Sequence, residues 1–87
     1  MNKIYWTIKA TKQLLKIDRR YIIAIKSTVE RLVSFPDVDV DIKKLKGTTN
    51  QYRLRVGIYR IIFEVINEEP KIISIQAVKK RSEQTYN

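Results

Sequence analysis

Fourteen residues constrain this chain more than any others: Tyr52-Arg53-Leu54-Arg55-Val56-Gly57-Ile58-Tyr59-Arg60-Ile61-Ile62-Phe63-Glu64-Val65. Apolar and polar residues alternate on both sides of Gly57-Ile58, the period-2 pattern of strands with one buried face. A two-residue loop there sets Val56 opposite Tyr59 and Arg55 opposite Arg60, and glycine in the first loop position is what a type II′ hairpin turn asks for. Arg53 and Arg55 share one strand face, with Arg60 on the next strand. Like charges directly opposite each other in a sheet cost roughly 0.2–1 kcal/mol. A hairpin that keeps such a pair invites an anion, and phosphate is the natural candidate. Tyr59 alternates in phase with Ile61 and Phe63, so it is expected on the face away from Arg60.

The rest of the composition narrows the choices. A chain of 87 residues is expected to form a single domain, 1–87, and to bury about two-thirds or less of its unfolded surface. Net charge is +9, weighted towards the second half: residues 1–42 carry eight Lys/Arg against five Asp/Glu, residues 43–87 ten against four. Such a surface attracts nucleic acid, an anionic membrane or an acidic protein. The chain contains no Cys and no His, which excludes disulfides, zinc fingers, thiol nucleophiles and imidazole acid–base chemistry. The start, Met1-Asn2-Lys3-Ile4-Tyr5-Trp6, has no long apolar run, so neither a signal peptide nor a membrane span is expected and a cytoplasmic protein is the default.

Along the chain, Ile4, Trp6 and Ile8 alternate with polar neighbours and predict a strand at about 2–9. Thr11 is a candidate cap for a short helix carrying Leu14, Leu15 and Ile17. Asp18 reads as the N-cap of a longer helix over about 19–34, whose Ile22, Ile25, Val29 and Leu32 form one apolar stripe. Pro36 bars its continuation. Asp37-Val38-Asp39-Val40-Asp41 lacks the glycine and distant glutamate of a calcium loop and reads as a solvated connector. Lys43-Lys44-Leu45-Lys46-Gly47 and a turn follow, then strands at about 52–56, 59–66 and 71–78 and a basic tail. The order β-α-α-β-β-β describes an α+β domain, two N-terminal helices packed on an antiparallel sheet.

This layout resembles the RelE/ParE superfamily of bacterial type II toxins, and its RelE branch in particular. Three features carry the resemblance: Lys44-Leu45-Lys46-Gly47 before the hairpin; Tyr52-Arg53-Leu54-Arg55 with Tyr59-Arg60-Ile61-Ile62-Phe63; and Val78-Lys79-Lys80-Arg81 with the near-terminal Tyr86. The resemblance implies an endoribonuclease that enters the ribosomal A site and cuts the mRNA codon there by attack of the 2′-hydroxyl. It implies no metal and no cofactor. The implied partners are a cognate antitoxin and the 70S ribosome with its mRNA and ribosomal RNA; no membrane is involved, and the toxin–antitoxin pair is expected to bind operator DNA through the antitoxin.

Cleavage through the 2′-hydroxyl needs a base for its proton, charge stabilisation for the phosphorane and an acid for the leaving 5′-oxygen. Arg60 matches the family's phosphate-stabilising arginine, and its planar fork suits two phosphate oxygens; the bland alternative is a strand arginine paired with Glu64. Arg53 and Arg55 stand where well-known RelE members carry lysines. Arginine stays protonated, with a pKa above about 12, so these two suit positioning rather than proton abstraction. Lys79, Lys80 and Tyr86 remain open as the base. The tail's acid or leaving-group stabiliser is Arg81 by residue type and Lys80 by counting back from Tyr86. Lys43, Lys44, Lys46 and Lys79 are expected to grip RNA.

Two other functions compete. A ParE-like toxin shares the fold but inhibits DNA gyrase by binding. A non-catalytic nucleic-acid-binding module would use Tyr52, Tyr59 and Tyr86 to stack on bases.

Overall fold

The computed structural model describes residues 1–80. Strand β1 (Lys3–Trp6) leads into helix α1 (Ile8–Leu15) and helix α2 (Arg19–Glu30), which ends in a 3₁₀ turn at Arg31–Ser34. Four strands follow: β2 (Ile42–Lys44), β3 (Gln51–Val56), β4 (Tyr59–Ile66) and β5 (Ile72–Lys80). They form a five-stranded sheet in the order β1-β5-β4-β3-β2, with β1 parallel to β5 and every other pair antiparallel. Two helices on a mostly antiparallel sheet is the expected α+β architecture, with one strand more than the sequence suggested. That strand, β2, is three residues at the sheet edge, and its Lys43-Lys44 carries no apolar alternation to announce it.

The first strand stops earlier than predicted. Thr7, not Thr11, caps α1: its hydroxyl accepts from the Ala10 N–H at 3.1 Å and donates to the Ile75 carbonyl at 2.9 Å. Satisfying a free helix N–H while anchoring to β5 outweighs another strand position for Ile8, which stays 73% exposed. Asp18 caps α2 as expected, accepting from the Arg20 N–H at 2.9 Å. The α-helical ladder closes at Glu30 and the expected continuation to 34 is a tighter 3₁₀ turn, after which Phe35, before Pro36, is extended (φ −55°, ψ 136°).

Between the helices and the sheet lies a core in which Ala10, Leu14, Ile25, Val29 and Leu32 meet Leu54, Tyr59, Ile61, Phe63, Val65, Ile73, Ile75 and Val78. Fully burying a large apolar side chain contributes about 1.5–3 kcal/mol. Phe63 lies stacked under Tyr52 (centroids 5.4 Å apart, 15° between planes), with Phe35 edge-on to both. Along β4 burial alternates strictly, placing Tyr59, Ile61, Phe63 and Val65 against the helices and Arg60, Ile62, Glu64 and Ile66 on the opposite face.

Across β4 and β5 the register slips once. Ile62 is paired with Ala77 and Phe63 with Ile75, so Gln76 is an extra residue on β5, a β-bulge. The extra residue reverses which alternate positions of β5 face the helices beyond it. The bulged segment is also tied to α1, where the Gln13 side-chain oxygen accepts from the Val78 N–H at 2.7 Å. Among the described residues no helix is long and apolar enough to cross a membrane.

Candidate active site

The hairpin register is the expected one: Val56 is opposite Tyr59 and Arg55 is opposite Arg60. Gly57 has φ +60° and Ile58 after it does not have positive φ, which is the type II′ pattern. On its far side Arg60 pairs with Lys79. Three cations therefore cross β3, β4 and β5 in one row on the face away from the helices. Both arginines are half-buried, and the Nε atoms of Arg55 and Arg60 are buried with no hydrogen-bond partner among the described residues. A buried donor left without a partner costs about 1–3 kcal/mol. Row and unpaired donors together make a cationic site with the donor geometry for an anion.

Two pairs along the strands, Arg53 sits between Lys43 and Ile62 on the same face. Its guanidinium is bound to the Asp41 carboxylate at 3.2 Å, so the connector's last aspartate holds Arg53 in place at the rim of the row. Asp37 and Asp39 are exposed. The proposed bland partner of Arg60 is elsewhere: Glu64 accepts from Asn50 Nδ2 at 3.1 Å and from Gln76 Nε2 at 3.3 Å. Four residues along an extended strand is about 13 Å, too far to neutralise Arg60.

The lysines divide. Lys43 and Lys79 belong to the basic face. Lys44 is opposite Tyr52, on the other face, and Lys46 lies exposed in the following turn. Lys80 is opposite Tyr59 and faces the helix side, lining a depression of about 480 Å³ with Gln13, Lys16, Asp18 and Val78. The structure thus brings Lys79, not Lys80, beside Arg60; the Gln76 bulge is the reason. Arg81 and Tyr86 lie outside the described residues. At the rim of the helix-side depression, hydrogen bonds from the Arg20 side chain and backbone N–H hold the Asp18 carboxyl down to about 2.

Both described candidate stacking tyrosines face the core. Tyr59 is 5% exposed, its ring 5.3 Å from that of Tyr21, and Tyr52 covers Phe63. The stacking platform on which a pure binding module would depend is therefore not built from them. Sequence reasoning named Glu64 only as a partner for Arg60 and missed Gln76 and Lys9 on or beside the basic face; the alternation Ile73-Ser74-Ile75-Gln76 was the local pattern that could have found the face of Gln76.

The profile of the ParE toxin of the type II toxin–antitoxin system parDE matches residues 4–85. The chain belongs to the RelE/ParE superfamily of type II toxins. Within it the relatives found are RelE-like. Toxin RelE3 of Methanocaldococcus jannaschii is 59% identical over 32 residues, a match spanning 37% of this chain and only 36% of that relative's length. The crystal structure of a RelB-RelE antitoxin–toxin complex from Methanococcus jannaschii contains a chain 30% identical, covering 91% of this chain and 92% of that one with a TM-score of 0.71. The archaeal RelE-RelB complex of Pyrococcus horikoshii gives 26% identity, coverage of 92% and 94%, and a TM-score of 0.75. The isolated E. coli RelE toxin shares the fold, at 19% identity and a TM-score of 0.76, covering 92% of this chain and 84% of that one.

Proposed function

We propose that this chain is the toxin of a type II pair and acts in the cytoplasm as a ribosome-dependent endoribonuclease on mRNA in the A site. The row Arg55–Arg60–Lys79, with two buried guanidinium nitrogens that have no acceptor among the described residues, is the observation that carries the reading. A base removes the 2′-hydroxyl proton, the 2′-oxygen attacks phosphorus, and the P–O5′ bond breaks as the 5′-oxygen takes up a proton. The products are a 2′,3′-cyclic phosphate and a 5′-hydroxyl. Arg60, central in the row, stabilises the charge that gathers on the phosphorane, and Arg55 orients the phosphate from the adjacent strand. Arg53, held by Asp41, and Lys43 guide the neighbouring backbone. The base and the leaving-group acid are drawn from Lys79, Arg81 and Tyr86, with Lys80 the weaker rival because it lies on the helix side. Lys44 and Lys46 contact ribosomal RNA from outside the cleft.

The same reading gives the chain an antitoxin. Ile8 and Leu15, seven positions apart on one side of α1, are 73% and 68% exposed, and Ile23 on α2 is 70% exposed. Lys12 and Lys26 are exposed on the same two helices, and Lys16 just after the first. An acidic segment with apolar side chains suits this surface. Operator binding would come through that partner.

The test is cleavage of mRNA on ribosomes with an empty A site, with a ribosome-free control and Arg60→Ala. Ribosome-dependent cutting within the codon, lost by orders of magnitude in a folded Arg60→Ala, is the expected result. If the pure chain does not cut, the nuclease reading is wrong; because the matching profile is the ParE one, DNA gyrase inhibition is then the assay to run.

A further inference from the structure

Beside the cation row, where α1 meets the basic face, lies a depression of about 360 Å³ lined by Thr7, Lys9, Ile62, Gln76, Ala77 and Lys79. Its floor is apolar: Ile62 and Ala77 are paired across β4 and β5. Lys9 and Lys79 are both exposed at its rim. Thr7 has nothing further to donate, since its hydroxyl proton is used on the Ile75 carbonyl. Gln76 is different. Its Nε2 donates to Glu64 Oε1 at 3.3 Å and to Ser74 Oγ at 3.1 Å. An ionised carboxylate only accepts, so the amide is held with its nitrogen towards Glu64 and its oxygen turned the other way. No donor among the described residues is bonded to that oxygen.

An apolar floor, two ammonium groups and one oriented acceptor suit a nucleotide, and the volume is at the small-ligand end of binding pockets, about 300 Å³ upwards. Ile62 is two residues from Arg60 along β4, about 6.6 Å at strand rise, on the scale of one nucleotide step. We propose that this depression holds the nucleotide adjacent to the scissile phosphate, its phosphate on Lys9 and Lys79, its base on Ile62 and Ala77, and its edge read by the Gln76 amide oxygen. The proposal rests on the reading of RNA as substrate. An acceptor facing purine C6 or pyrimidine C4 favours the bases that carry an amino group there, adenine (N6) and cytosine (N4). Guanine and uracil present carbonyl oxygens there and are disfavoured. Gln76 is thus a specificity-determining residue, on the same face as Ser74 and Glu64.

Two measurements test it. In the first, ribosomes carry A-site codons in which each position is varied through the four bases, and cleavage rates are compared for wild type, Gln76→Leu and Lys9→Ala. At one position A and C should be cut about tenfold faster than G and U, and Gln76→Leu should bring the four within about twofold. Lys9→Ala, at an exposed position, should slow all four alike. Equal wild-type rates, or an undiminished preference in Gln76→Leu, overturn the proposal. In the second, wild-type chain is titrated with short oligo(A), oligo(C) and oligo(U) while the Gln76 side-chain amide and Lys9 are followed by NMR. Shifts at Gln76 with oligo(A) and oligo(C) but not oligo(U) support the subsite even if the chain proves not to be a nuclease or if Gln76→Leu fails to fold. Absence of any shift at either residue sinks it.

Discussion

Replacing Arg60 by methionine should stabilise the free chain while abolishing RNA cleavage. Arg60 has a cation on each side, Arg55 on β3 and Lys79 on β5. Each like-charge neighbour costs roughly 0.2–1 kcal/mol. Its buried Nε, without a partner among the described residues, adds about 1–3 kcal/mol. Methionine retains most of the aliphatic stem that packs on the sheet and removes both terms. Allowing for imperfect packing, Arg60→Met should gain about 1–2 kcal/mol. In a domain of this size each kcal/mol raises the melting temperature by about 4–8 °C. The assay is thermal and urea unfolding of wild type, Arg55→Met, Arg60→Met and the double variant, at low salt and in about 1 M salt, where the Debye length is about 3 Å. The double-mutant cycle isolates the Arg55–Arg60 repulsion, which should be about 0.2–1 kcal/mol at low salt and shrink at high salt. Destabilisation by Arg60→Met, or a coupling of zero at low salt, would refute the claim that the row is held at a cost to the fold.

Three further outcomes are expected. For single-stranded RNA each phosphate contact contributes about −0.7 to the slope of log affinity against log salt, so Lys79→Ala should flatten the slope by about that much whereas Lys80→Ala should leave it unchanged; fluorescence anisotropy over a salt series reads this. Phe63→Ala, removing a fully buried ring from between Tyr52, Phe35 and the helices, should cost about 3–5 kcal/mol and unfold much of the chain near 37 °C by circular dichroism. The Asp18 carboxyl is held below its ordinary 3.8, at about 2, by the Arg20 hydrogen bonds. A depressed carboxyl stabilises the fold above its unfolded value and loses that contribution as pH falls towards its folded one. The stability advantage of wild type over Asp18→Asn should therefore be constant above about pH 4 and shrink between 4 and 2, measured by urea midpoints at each pH.

Much of the candidate site was legible because it is local. Gly57-Ile58 sets a two-residue turn, the turn sets the register, and the register puts Arg55 opposite Arg60; every link lies within a few residues of chain. The same holds for the α2 stripe of Ile25 and Val29 and for its Asp18 cap. Where competing local signals existed, distant contacts decided between them. Thr11 was the cap the sequence offered, and Thr7, inside the expected strand, caps instead because its hydroxyl also reaches Ile75, 68 residues away. β2 has no alternation of its own and exists because the β3 edge offers Ile42–Lys44 a hydrogen-bonding partner.

Sequence alone determined that two arginines face each other on a hairpin, because backbone alternation and turn geometry follow from neighbouring residues. Which lysine joins them was decided by the tertiary structure. Unbroken alternation from Ile73 and Ile75 would have carried Ala77 and Lys79 to the helix side and offered Lys80 to the phosphate. Gln76 breaks the alternation: it stands outside the ladder, its amide bound to Glu64 on β4, with the Val78 N–H beyond it bound to Gln13 on α1. The bulge is fixed by these contacts from distant parts of the chain, which the local sequence does not encode. Lys79 stands beside Arg60, and Lys80 faces the helices.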